Sequence, residues 1–300
     1  MWFELDERIR QEAAARSEPL ANIVLDVTAI NPLERKLDVT IRARFYQHDF
    51  FHRLVDGEGK QFRLPVGPIT DPSYPRMRLT IFPDFFAEPT YVSIPISGSE
   101  DDTEMRASID LSAAPQAFPN DVYDLSTASA ILELPAGISY RVGDGATARL
   151  VQQLSFGIAL SQGDKLVDWT VEPGYAISRP SEGFAQIADL SGSVRRPTEY
   201  TISVYSIAAA PLLLGIAAAA ENWRRRRESP RSSPSLELAA ALLAMLPLRQ
   251  VLVPSDIPGL TRLDRLLAVE VVAIVAMIVL PAALGRSSPI RATADSPAPR

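Results

Sequence analysis

Three hundred residues carry 36 Asp+Glu against 30 Lys+Arg, and no cysteine. That length can bury a self-sufficient core, and the absence of cysteine excludes disulfides and thiolate zinc. Residues 1 to 196 hold 28 acidic and 19 basic side chains (−9), while residues 197 to 300 hold 8 and 11 (+3), so the first part is no nucleic-acid binder and the basic charge flanks apolar runs.

Residues 1 to 19 read as a polar, solvated helix, with Glu4 and Arg8, Asp6 and Arg10, and Glu12 and Arg16 each four residues apart. The stretch lacks the apolar core of a secretory signal. From Asn22 the period becomes two. Ile23, Leu25 and Val27, then Leu37, Val39 and Ile41, alternate with polar neighbours on either side of Asn31-Pro32, which predicts a β-hairpin.

Further strands are predicted at Arg78 to Phe82, Thr90 to Ile96, Met105 to Leu111, Val122 to Leu134, Ala148 to Leu160, Leu166 to Val171 and Glu182 to Val194. Many short strands separated by Pro and Gly predict an antiparallel β-sandwich-like domain over residues 20 to 196.

Residues 197 to 285 read as a transmembrane region of three α-helices. Tyr200 to Ala220 is free of charge, Leu236 to Val253 carries only Arg249, and Leu266 to Leu284 carries only Glu270. Residues 286 to 300, rich in Pro, Ser and Ala, read as a disordered cytoplasmic tail. The fold class predicted is therefore a membrane protein, an all-β soluble domain followed by a bundle of three transmembrane helices in a lipid bilayer.

The segment Asn222 to Arg231 contains five arginines, and the positive-inside rule assigns it to the cytoplasm, with the β domain outside. Exporting so long a domain ahead of the first span ordinarily needs a signal. The expectation is a start site set too far downstream; the competing reading is a cytoplasmic β domain that overrides the arginine loop.

Phe118-Pro119-Asn120-Asp121-Val122-Tyr123, then Leu246-Pro247-Leu248-Arg249, Val253-Pro254, Ile257-Pro258-Gly259-Leu260-Thr261 and Asp264, resemble a family of bacterial membrane proteins called domain of unknown function 4436. The similarity runs from about Asn22 to Leu284. The resemblance implies a first motif of Tyr-Pro-Phe-Asp followed by Tyr, with Asn120 here in place of Phe, and an N-terminal membrane anchor. It assigns no activity.

Arg249 and Glu270 are placed at similar depth, so an intramembrane ion pair between them is expected; interfacial snorkelling and a transport path are the other readings. His48, Asp49 and His52 are spaced for a metal only on a helix, and their surroundings read as strand and loop. The run from Glu100 to Glu104 lacks the spaced Asp and Gly of a calcium loop. No Gly-x-Ser-x-Gly element supports a hydrolase. No cofactor or metal is expected.

Phe118-Pro119-x-Asp121 is also similar to the Phe-Pro-Phe-Asp loop of pentameric ligand-gated channels. The expected function is a non-enzymatic, multi-pass envelope protein whose exported β domain meets a protein partner. The alternative is a channel or transporter subunit with an extracellular β-sandwich.

Overall fold

A computed structural model of the chain describes residues 19–45, 50–83, 88–97, 103–111, 115–143, 148–180, 186–228, 235–255 and 259–284, with Gly145 and Ile257 between them. The expected N-terminal helix up to residue 18, His48, Asp49, the acidic residues 100–102, Pro258 and the tail 286–300 lie outside the described residues. The chain divides into two compact units, Met1–Thr198 with Asp256–Pro258, and Glu199–Ser255 with Gly259–Arg300.

In chain order the strands are β1 (Ala21–Asn31), β2 (Lys36–Phe45), β3 (Leu54–Asp56), β4 (Arg76–Phe82), β5 (Thr90–Pro95), β6 (Met105–Asp110), β7 (Val122–Asp124) and β8 (Ser129–Glu133). They continue as β9 (Ile138–Val142), β10 (Arg149–Val151), β11 (Phe156–Gln162), β12 (Thr170–Glu172), β13 (Gly174–Ile177), β14 (Arg179–Pro180), β15 (Gln186–Asp189) and β16 (Ser193–Arg195). Three helices follow: α1 (Thr198–Glu228), α2 (Ser235–Leu252) and α3 (Arg262–Leu284).

The strands form four sheets. Two have five strands, ordered β13-β11-β1-β2-β6 and β14-β15-β8-β4-β5, and two have three, ordered β10-β9-β3 and β12-β16-β7. Ile23, Leu25, Leu37 and Ile41 of the first five-stranded sheet share one core with Met77, Leu79, Ile94, Ala130 and Leu132 of the second. These are alternate positions along their strands, and in β2 and β8 the period-two pattern in the sequence is the pattern of burial.

The hairpin predicted around Asn31-Pro32 forms. β1 and β2 pair antiparallel down to Asn31 with Lys36, and the Asn31 side chain accepts hydrogen bonds from the backbone N–H groups of Leu33 and Glu34. Two longer predicted strands are broken. Val122 to Leu134 becomes β7 and β8, separated by a turn in which Asp124 Oδ1 accepts from the Ser126 N–H at 2.8 Å. Ala148 to Leu160 becomes β10 and β11.

The expected fold class is overturned in two respects. The strands are not all antiparallel: β1 runs parallel to β11 from Ala21–Phe156 to Val27–Gln162. A parallel neighbour on one side and β2 on the other put β1 at the centre of its sheet, and residues 21–26 are buried on both faces.

The three-span bundle is the second correction. Among the described residues only Thr198–Glu221 is long and apolar enough to cross a membrane; it has 24 residues, and its most apolar window has a mean hydropathy of 1.9. The run predicted as Leu236 to Val253 lies in α2, whose apolar stretch among the described residues is Ala239–Leu252, short of the roughly 20 residues a bilayer requires. The run predicted as Leu266 to Leu284 lies in α3, which begins earlier than expected and so takes in Arg262, Asp264 and Arg265 as well as Glu270. The arginine segment predicted as a loop is helical as far as Glu228.

Gly174, at the start of β13, approaches the neighbouring backbone closely: a Cβ there would stand 1.9 Å from the Ser191 carbonyl oxygen. Gly57 faces open space. Gly174→Ala is therefore expected to lower the unfolding free energy by at least about 1–3 kcal/mol, with Gly57→Ala within about 0.5 kcal/mol of wild type, in urea titrations of the full chain.

Candidate functional site

The first predicted motif is gathered around a residue that was not predicted. Asp121 precedes β7 and Arg196 follows β16, the strand paired with β7 through Ser193–Asp124 and Arg195–Val122. That pairing brings the two side chains together across 75 positions of sequence, Arg196 Nε donating to Asp121 Oδ1 at 3.1 Å. Both are buried, with the Asp121 side chain 1% and the Arg196 side chain 7% exposed.

Aromatic rings enclose the guanidinium. Its Cζ lies 4.2 Å from the centroid of Trp169 and 5.1 Å from that of Phe118. Phe118 precedes Pro119 through a cis peptide bond. The Tyr123 ring meets Trp169 edge-on at 5.3 Å, and its hydroxyl reaches Asp121 Oδ2 at 3.4 Å. Burial is the largest influence on Asp121 and raises its carboxyl above the ordinary value, with Arg196 opposing it.

A planar, weakly hydrated guanidinium that both stacks and pairs is suited to such a site, whereas the point charge of lysine is not. In the sequence Phe118, Pro119, Asp121 and Tyr123 form a motif without a role. The missing members, Trp169 and Arg196, carry no local signal, because their relation to the motif exists only through the pairing of β16 with β7 on one side and with β12 on the other.

The second motif forms a helix corner. Thr261 is the N-cap of α3: its Oγ1 accepts from the Asp264 N–H at 3.2 Å, and Asp264 Oδ2 accepts from the Thr261 N–H at 2.7 Å. This reciprocal pattern is a capping box with aspartate as its acid, and the Thr-x-x-Asp spacing could have signalled it. Asp264 Oδ1 also receives Arg249 Nε at 2.6 Å. Burial is the largest influence and acts to raise the Asp264 carboxyl, but the Thr261 and Arg249 hydrogen bonds outweigh it and hold the group below its ordinary range.

Arg249 is therefore paired with Asp264 and not with Glu270, the expected partner. The reason is position: Glu270 lies six residues, roughly 9 Å, further along α3. The capping box already aims Asp264 at the end of α2. Pro247 lies inside α2 and Pro254 just beyond it.

A polar groove of about 810 Å³ lies over the outer face of the first five-stranded sheet, between β1, β2, β6 and the segment after β11. Asp26 on its floor accepts from Arg42 and Ser161, and Asp38 accepts from Ser108. The side chains of Arg106 and Lys165 on its wall have no hydrogen bond or ion pair among the described residues. No group of three or more His, Cys, Asp or Glu capable of holding a metal occurs among the described residues, and His52 is instead 3.0 Å from the Gln61 amide.

Compared with known proteins, the sequence matches no family model and no curated protein.

Removing one member of a buried ion pair strands the other, so Arg196→Ala is expected to cost about 3–5 kcal/mol in denaturant unfolding, with only partial recovery in Arg196→Lys. The pH dependence has a definite sign. The folded Asp121 carboxyl sits above its ordinary 3.8, so its contribution to stability is complete below that value and lost as pH rises through the folded value. Stability measured against pH should shift in favour of Asp121→Asn, relative to wild type, over that rise.

Proposed function

We propose that this chain is a non-enzymatic, membrane-anchored envelope protein, in which α1 crosses the bilayer and the β domain stands outside to meet a polar protein partner. The observation that carries the reading is α1 itself. Over Thr198–Glu221 it is long enough for the hydrocarbon core, and only 22% of its most apolar window is buried within the protein. Ile202, Ile207, Leu213, Leu214 and Ile216 are exposed along it, which is unfavourable in water and appropriate in lipid.

Four consecutive arginines, Arg224 to Arg227, follow the apolar stretch within the same helix. By the positive-inside rule that end belongs in the cytoplasm and the β domain on the opposite side. The groove supports a binding role, being of a size suited to recognition and lined by paired polar groups with Arg106 and Lys165 free beside them. The hydroxyls that meet a carboxylate in the two clusters, Tyr123 with Asp121 and Thr261 with Asp264, are fully buried, which favours binding over catalysis. The resemblance to domain of unknown function 4436 agrees with a membrane setting and adds no chemistry.

Membrane fractionation tests the reading. Full-length protein should stay in the membrane pellet after alkaline carbonate washing, while a Leu213→Arg, Leu214→Arg double variant, at about 2.5–3.5 kcal/mol per mid-span charge, should be released or degraded. Recovery of the wild-type chain in the aqueous supernatant would falsify it. Because the chain has no cysteine, Glu58→Cys at an exposed turn supplies a single thiol, and a membrane-impermeant maleimide should label it in intact cells.

A further inference from the structure

The inward stripe of α3 runs Leu263, Leu267, Glu270, Ile274, at the three- and four-residue spacing of one helix face. Glu270 is the anomaly in it. The residue is 2% exposed, its Oε2 is buried without a hydrogen-bond partner, and no hydrogen bond or ion pair of its side chain occurs among the described residues.

Among the described residues its surroundings offer no counter-charge. Ile274, one turn along, packs with Ala241 and Met245 of α2, and Leu212 and Ala218 of α1 close on the same cluster. Between Tyr205 and Glu221, α1 has no ionisable residue. The ionisable residues of α2 are Glu237, whose side chain lies outside those described, and Arg249, already bound to Asp264. On α3 itself, Arg262 and Arg265 are exposed in the first turn, and the buried Asp264 between them is an acid.

An ionised carboxylate in such a place would have lost its hydration with nothing to replace it, a cost far larger than that of taking up a proton. We propose that Glu270 is a proton-binding site: the packed helices hold its carboxyl neutral, and its ionisation and the packing of α2 against α3 oppose one another. The ligand is a proton, and the site is also one that an apolar carboxyl reagent should modify selectively. The inference holds whether or not α1 lies in a bilayer, so failure of the membrane reading would not remove it.

Two measurements on the full chain in non-ionic detergent test it. Dicyclohexylcarbodiimide adds to a protonated carboxyl: the proton passes to a carbodiimide nitrogen, the carboxyl oxygen bonds to the central carbon, and the adduct rearranges to an N-acylurea with no leaving group. Peptide mapping at about pH 7 should show Glu270 labelled at least about 10-fold more than the exposed Glu34 and Glu58, with the excess declining as pH is raised.

The second measurement follows the thermal unfolding midpoint against pH. A group that holds its proton in the folded state contributes stability that is complete at low pH and lost as pH rises through the folded value. Wild type should lose midpoint temperature on that rise relative to Glu270→Gln, which keeps the shape of the acid and cannot ionise. Labelling of Glu270 no stronger than that of Glu34, or identical pH profiles for the two proteins, would overturn the proposal.

Discussion

The β domain depends on a strand that must satisfy two faces and two edges at once. β1 pairs with β2 on one side and with β11 on the other, and its residues from Ala21 to Asp26 are buried on both faces. A polar side chain in such a strand is tolerated only when bonded, and Asp26 meets that condition by accepting from Arg42 on β2 and Ser161 on β11. The same carboxylate therefore ties together the three central strands. It also forms part of the floor of the groove, so the feature most suited to recognition rests on the most constrained part of the sheet.

A different constraint operates where the chain leaves the β domain. Arg196 stands two residues before α1 begins and is held by an ion pair and by two aromatic faces. A bulky cation out of water is justified energetically only when every side of it is occupied, and here Asp121, Trp169 and Phe118 do so. The arrangement ties the end of β16 to the segment before β7.

In the second unit, large apolar side chains lie exposed while two acids are buried. Leu213 and Leu214 on α1, Leu243 on α2, and Val269 and Val272 on α3 are exposed, while Asp264 and Glu270 are buried. Asp264 is satisfied by a cap and a guanidinium, and Glu270 has neither. Two acids six residues apart on one helix are thus assigned opposite protonation behaviour by their partners alone, as happens when environment rather than residue type decides ionisation.

The sequence by itself determined what depends on neighbours in the chain. The alternation of Ile23, Leu25 and Val27 marked a strand and its buried face, Asn31-Pro32 marked a turn, and the uncharged run after Tyr200 marked a helix able to enter lipid, because period, turn chemistry and hydropathy are local properties. Only the tertiary structure decided what depends on distant ones: the parallel partner of β1 lies some 135 residues away, as Asp26 and Ser161 do, and Arg196 finds Asp121 across 75. It also decided where α3 begins and hence how many charges it carries, and it gave Arg249 to Asp264 instead of Glu270. Pairing of that kind follows from which backbones lie side by side, and no window of sequence contains that information.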